Sequence, residues 1–208
     1  MISYAEFYME SLYPLQDGVL QRLNALETPF YLTGGTALSR HYFNHRYSDG
    51  LDLFVNEENR YREWVQRIFQ DFVLVGKEGM FRIDAGRTIR GENFAQFYVT
   101  DDKTWLKIDL VNDVAPHFGG FEDNAVLGRV DSWRNILTNK ISALGRLEIK
   151  DFVDLWVLAR NRGFSWKDMF QEARQKDAGL DPAMIFELLT TIPKDSLEVV
   201  KWVRPINV

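Results

Sequence analysis

Residues 29–55 constrain this chain more than any other stretch. Pro29-Phe-Tyr-Leu-Thr33 reads as a short apolar strand, Gly34-Gly35 as a turn, Thr36–Phe43 as a helix and Leu51-Asp-Leu-Phe-Val55 as a second strand. Glycine lets backbone N–H groups approach an anion closely, and a helix N-terminus adds a favourable dipole. Thr36 is placed to cap that helix or to contact a phosphate. Strand residues two apart share a face, so residues 50 and 52 project together. Carboxylates at both positions would hold one or two Mg2+ ions through hard oxygen ligands. This chain carries Gly50 and Asp52 there, with Asp49 just ahead of the strand and pointing elsewhere if the strand is regular. Read alone, Asp49 is equally a turn residue and Asp52 a solvated strand residue.

Composition narrows the alternatives. Of 208 residues, 46% are hydrophobic and 26% charged, enough for a packed core in one domain or two small ones sharing a core. The net charge of −5 disfavours a broad nucleic-acid-coating role, which needs phosphate neutralisation, but leaves room for a local nucleic-acid site. With no cysteine, disulfides, thiolate catalysis and cysteine zinc sites are excluded. Three scattered histidines (His41, His45, His117) do not suggest a histidine metal site. No apolar run approaches the length of a membrane span, and the N-terminus lacks a basic-then-apolar signal pattern. The expectation is a soluble cytoplasmic protein with no membrane association.

The pattern along the chain predicts an α+β fold. Leu12, Leu15, Val19, Leu20, Leu23 and Leu26 recur at helix spacing, with Pro14 interrupting or restarting the helix. Residues 57–72 form an amphipathic helix. Three strands are expected next: Val73–Val75, Phe94–Thr100 and Trp105–Val111, the last two joined through Asp101-Asp-Lys103. Residues 113–130, with Pro116, Gly119, Gly120 and Gly128, read as loop or linker. Helices then cover 132–146, 150–162, 166–177 and 181–191. This suggests a mixed-sheet α/β domain over 1–115 and a helical C-terminal domain over 116–208.

Two further groups of residues carry chemistry. Asp109 lies in the apolar run Leu106-Lys-Ile-Asp-Leu-Val111; beside Leu51–Val55 it would complete a carboxylate cluster with Asp52, and otherwise it is a half-exposed Asp paired with Lys107. Lys140 and Asp151 are 11 residues apart, close to three helical turns, so one continuous helix would place them on one face. A lysine facing an acidic site would hold a triphosphate; the plainer reading is a solvated, salt-bridged helix surface.

Together, Gly34-Gly-Thr-Ala-Leu38, His45-Arg-Tyr-Ser48, Leu51-Asp-Leu-Phe54, Lys140-Ile-Ser-Ala-Leu144 and Lys150-Asp-Phe-Val-Asp-Leu155 resemble the AbiEii/AbiGii toxin family of nucleotidyltransferases, within the DNA polymerase β-like fold. The resemblance spans roughly residues 28–160. It implies a small mixed β-sheet flanked by helices, followed by a helical domain. It also implies transfer of a nucleotidyl group from an NTP to an acceptor, tRNA for related toxins, with Mg2+ ions clamping the reacting oxygens. Abortive infection and type IV toxin–antitoxin systems are the implied setting, with a cognate antitoxin or regulator as partner.

On this resemblance Gly34, Gly35 and Thr36 hold the nucleotide phosphates. Asp52 and Asp109 are metal carboxylates, Lys140 contacts the triphosphate, and Asp151 is the acidic residue of the last motif. Arg46 and Ser48 support the site. The family usually reads Ser-x-Asp-Leu/Ile-Asp where this chain reads Ser48-Asp-Gly-Leu-Asp52, so the first carboxylate is absent and Asp49 is the only nearby substitute. A degenerate module binding nucleotide, RNA or protein is the alternative. A small-molecule nucleotidyltransferase is another, since a negative net charge suits a cationic substrate.

Overall fold

The computed structural model describes residues 3–204. Helix α1 (Tyr4–Phe7) runs through a π-helical turn at Tyr8–Leu12 into α2 (Tyr13–Ala25), so that helical backbone is continuous and Pro14 comes just after the π-helical turn. Strand β1 (Tyr31–Thr33) leads directly into α3 (Gly34–Ala37), which continues as a π-helical turn over Leu38–Phe43. Then come β2 (Leu51–Asn56) and α4 (Tyr61–Lys77), followed by the short strands β3 (Arg82–Ile83) and β4 (Ile89–Arg90). The hairpin of β5 (Phe94–Thr100) and β6 (Trp105–Asp113) is followed by a smaller one of β7 (Glu122–Asn124) and β8 (Gly128–Val130). Helices α5 (Trp133–Ala143), α6 (Ile149–Asn161), α7 (Trp166–Lys176) and α8 (Pro182–Thr191) complete the chain, with a 3-10 turn at Lys194–Val199.

The strands form one mixed sheet in the order β3-β5-β6-β2-β1-β8-β7, with β4 also pairing β5. Strand β2 is antiparallel to β1 and parallel to β6, and β8 is parallel to β1. Alternation sets the two faces. Leu51, Leu53 and Val55 of β2, Leu106, Ile108 and Leu110 of β6, and Ala95, Phe97 and Val99 of β5 are buried on one side. The residues between them, Asp52, Lys107 and Asp109 among them, point to the other. Helix α4 covers the apolar side, with Phe72 and Phe69 edge-on to Phe97 at 6.2 and 6.0 Å. Each such aliphatic or aromatic side chain contributes about 1.5–3 kcal/mol on burial. Arg22 of α2 grips Asp71 of α4 through two hydrogen bonds of 2.7 Å.

Two sequence expectations are corrected. Residues 73–75 are the end of α4, not a strand. Val65, Ile68, Phe72 and Val75 are all buried and continue one helical stripe, while Val73 and Leu74 are exposed. Helical period therefore prevails over the β preference of valine. Residues 113–130 are not a plain linker: β8 joins the sheet beside β1, Leu127 and Val130 are buried, and the sheet extends past residue 116. Both strands are three residues long and β7 is acidic, so neither shows apolar alternation.

Gly128 turns the smaller hairpin with φ +74°, and a Cβ there would lie 2.2 Å from the Asn24 side chain at the end of α2. Gly128→Ala is expected to cost about 1–2 kcal/mol from left-handed backbone alone, read as a lower urea midpoint with an unchanged slope. Unchanged stability would contradict the packing of this turn against α2.

Candidate active site

The site is built where β1 gives way to α3. Gly34 has φ +67°, and a Cβ on it would lie 2.3 Å from the Asp52 carboxylate. Asp52 lies opposite Thr33 in the β1–β2 register, which brings its side chain against the turn. A Cβ on Gly35 would lie 2.3 Å from the Arg46 guanidinium and 3.2 Å from the Ser48 hydroxyl. The two glycines are thus required by close approach of Asp52 and Arg46. The first N–H groups of a helix lack intrahelical partners, so this turn presents donors beside both charges. Thr36 does not cap the helix: its buried hydroxyl lies 2.8 Å from Ser48 Oγ and 2.5 Å from the Gly50 carbonyl, fastening α3 to the segment ahead of β2.

Asp52 and Asp109 are direct partners in the parallel β2–β6 register. Asp109 accepts from Gln96 Nε2 at 2.8 Å and from Lys107 Nζ at 2.7 Å, so each of its oxygens is engaged. Burial pushes the Asp52 carboxyl above the usual range, with Asp109 adding like-charge repulsion against the opposing pull of Lys140, Lys107 and Lys150. Burial works against the Lys107 ammonium, but its hydrogen bond and ion pair with Asp109, with Asp52 adding, hold it above its ordinary value.

Beneath the turn lies a buried charge network. Asp154 is fully buried and receives two hydrogen bonds of 2.7 Å from Arg46, one of 2.8 Å from the His45 ring and a 2.9 Å contact from Lys140. Lys140 also binds Asp151 at 2.5 Å. Lys140 and Asp151 do not share one helix. The chain breaks at a 3-10 turn, with Leu147 at φ +57°, and the pair forms between α5 and α6. Burial opposes ionisation of Asp154, yet Lys140 and Arg46 outweigh it and hold the carboxyl well below the usual carboxylate range.

Of the residues expected from sequence, Gly34 abuts Asp52, Asp52 is the register partner of Asp109, and Gly35 abuts Arg46 and Ser48. Lys140 acts on Asp52 through its charge, and Thr36 and Ser48 brace the wall. Asp49 is not brought in: its carboxylate binds Tyr8 and, at 3.0 Å, Lys201. No bulge re-aims it, since Gly50 lies outside the left-handed region and β2 begins at Leu51. Asp154 and Gln96 were not anticipated as site residues. Asp154 was signalled by its spacing of three from Asp151 on an otherwise apolar helix face, Gln96 by lying opposite Asp109 across the β5–β6 hairpin.

The carboxylates do not fit the pair of Mg2+ ions that the resemblance implies. Asp52 and Asp109 are the one carboxylate pair in register across β2 and β6 among the described residues, Lys107 occupies one oxygen of Asp109, and Asp49 is committed elsewhere. Among the described residues no three His, Cys, Asp or Glu groups gather as a metal cage.

Residues 18–201 match a family model described as nucleotidyl transferase AbiEii toxin, type IV TA system. An uncharacterized protein of Aquifex aeolicus (strain VF5), aq_aa25, is 26% identical over 178 residues, covering 85% of this chain and 80% of that protein. Two crystal structures share the fold. A candidate nucleotidyltransferase from H. pylori has a TM-score of 0.55 at 20% identity, covering 87% of this chain and 92% of its own. JHP933 from Helicobacter pylori has a TM-score of 0.52 at 17% identity, covering 90% and 94%.

The two perturbed carboxylates have opposite consequences for stability. A carboxyl raised by folding favours the native state when protonated, and that advantage is lost as pH rises through its folded value. Asp52→Asn is therefore expected to be at least as stable as the natural chain at pH 7, with the difference shrinking as pH falls toward 4. A lowered carboxyl stabilises above the ordinary range and loses that contribution as pH falls below it. Asp154→Asn is expected to cost about 3–5 kcal/mol at neutral pH by leaving Arg46 and Lys140 uncompensated, the difference narrowing only below the ordinary carboxylate range. Urea denaturation across pH checks both; a stabilising Asp154→Asn would contradict the network.

Proposed function

The chain belongs to the AbiEii family of nucleotidyltransferase toxins, and from that premise we propose that it binds a nucleoside triphosphate in the cleft between the Gly34-Gly35 turn and the Asp52/Asp109 strand pair. The observation that carries this reading is the contact of Gly34 with Asp52: a donor-rich turn and a carboxylate of raised pKa abut where β1 enters α3. Lys140, Lys107 and Lys150 supply positive charge around it. Lys140 donates to Asp151 and lies in ion-pair contact with Asp154.

In this reading the acceptor hydroxyl attacks the α-phosphorus. A new P–O bond forms, the α–β P–O bond breaks, and pyrophosphate leaves. Asp52 takes the hydroxyl proton, since burial makes it a stronger base than a solvated carboxylate. Gly50 removes a family carboxylate, so transfer by the natural chain is slow, and nucleotide binding outlasts efficient chemistry. The incomplete carboxylate set favours, as a second reading, a module that binds nucleotide without transferring it.

An RNA acceptor such as tRNA is supported by the open face of β5–β6. Arg87 lies 3.8 Å over the Tyr98 ring and 5.1 Å from that of Trp105, which is half exposed, beside Lys107. Rings of this kind contribute about 1–3 kcal/mol per stacked base. A cognate antitoxin is the partner expected for a type IV system.

Lys140→Ala should weaken triphosphate binding by about tenfold, ~1.4 kcal/mol. Asp52→Asn should retain binding and lose labelled-nucleotide transfer to tRNA, whereas Gly50→Asp combined with Lys107→Ala should raise that transfer when Mg2+ is supplied. Calorimetry and a transfer assay read these outcomes. Triphosphate affinity unchanged by Lys140→Ala would count against the assigned cleft. Trp105→Ala should reduce RNA affinity and spare triphosphate affinity.

A further inference from the structure

The position left by the missing carboxylate is not open space. A Cβ at residue 50 would lie 3.2 Å from the Lys107 carbonyl and 3.8 Å from Lys107 Cε. An aspartate there would grow along the stem of Lys107 toward its ammonium. That ammonium sits 2.7 Å from Asp109 Oδ2, and Asp109 is held from its other oxygen by Gln96. Asp109 is in turn the register partner of Asp52. The lysine, the two carboxylates and the glycine therefore share one patch on the open face of β2 and β6.

We propose that the Lys107 ammonium is a tethered cation that takes the place of a protein-held divalent ion at this site. Gly50 and Lys107 act as a pair: the glycine withdraws one negative charge and makes room, and the lysine supplies one positive charge. A divalent ion and an ammonium cannot both sit against one oxygen of Asp109 without strong like-charge repulsion in a partly desolvated cleft. Asp109 becomes the positioning residue of Lys107, and Gln96 fixes the carboxylate that aims it. An ammonium is a compact point charge that binds phosphate oxygens well. It neither bridges two oxygens as a metal does nor lowers the pKa of a bound hydroxyl as strongly. The consequence is a site that grips phosphate without divalent metal yet accelerates transfer poorly.

This inference deepens the nucleotide-site reading and rests on it for its nucleotide arm; its metal arm is independent. In the metal arm, Mn2+ binding is measured by EPR, without nucleotide, on the natural chain, Lys107→Ala and the double variant Gly50→Asp/Lys107→Ala, each checked by circular dichroism. The natural chain should show no site competed by Mg2+, and the double variant should bind Mn2+ at least about tenfold more tightly. If the double variant does not fold, Lys107→Ala alone should still gain Mn2+ affinity. A natural chain that binds Mn2+ as tightly as the variants overturns the proposal.

In the nucleotide arm, ATP, GTP, CTP and UTP are titrated in turn in EDTA and in Mg2+. The preferred triphosphate should bind the natural chain about equally in both, lose about tenfold in EDTA on Lys107→Ala, and be restored by Lys107→Arg. Unchanged affinity of Lys107→Ala in EDTA overturns the proposal. If no triphosphate binds under either condition, the nucleotide reading fails, and the Mn2+ titration alone decides between lysine and metal.

Discussion

Asp154 is the charge on which the arrangement depends. It is fully buried, and Arg46, His45 and Lys140 converge on it from two distant stretches of sequence. A buried carboxylate without such partners would be neutral or would unfold the region. With them, it locks α6 and α5 onto the segment that precedes β2. Because Arg46 lies directly against Gly35, the same network sets the height of the glycine turn. The chain's end reinforces that segment: the Tyr47 N–H donates to the Lys201 carbonyl at 2.8 Å, and the Val203 N–H to that of His45 at 3.2 Å.

Above this base, the carboxylate pair is a balance of unfavourable choices. Burial raises the Asp52 carboxyl above its ordinary range, and the group is pressed on Gly34 and aligned with Asp109. Nothing in a stability argument favours placing two carboxylates in register on neighbouring strands. Lysines 107, 140 and 150 offset the cost through their charge. Such a cluster of perturbed carboxylates beside a glycine turn is what motivates the proposed site, and the family to which the chain belongs supplies its chemical context.

Much of this was legible in the sequence, for particular reasons. The glycine pair between strand and helix, the alternation of Leu106, Ile108 and Leu110 with Lys107 and Asp109, and the motif at Lys150–Leu155 are local signals that the fold preserves. Asp52 and Asp109 could be paired because both lie on strands and β2 and β6 pair directly. What escaped depended on tertiary context. Val73–Val75 is β-prone composition absorbed by a long helical stripe, and the β7–β8 hairpin is too short to show alternation. The inwardness of Asp154 depends on partners more than 100 residues away in the chain. Gly50 was visible as a missing carboxylate, but only the structure brings Lys107 beside it.

The most direct test of the account is a crystal structure of the natural chain with a non-hydrolysable triphosphate in Mn2+, using the anomalous signal of the metal. The account predicts phosphates at the Gly34-Gly35 turn with Lys107 still on Asp109 and no manganese ligated jointly by Asp52 and Asp109. Manganese bound between those two carboxylates, with Lys107 displaced, would contradict it.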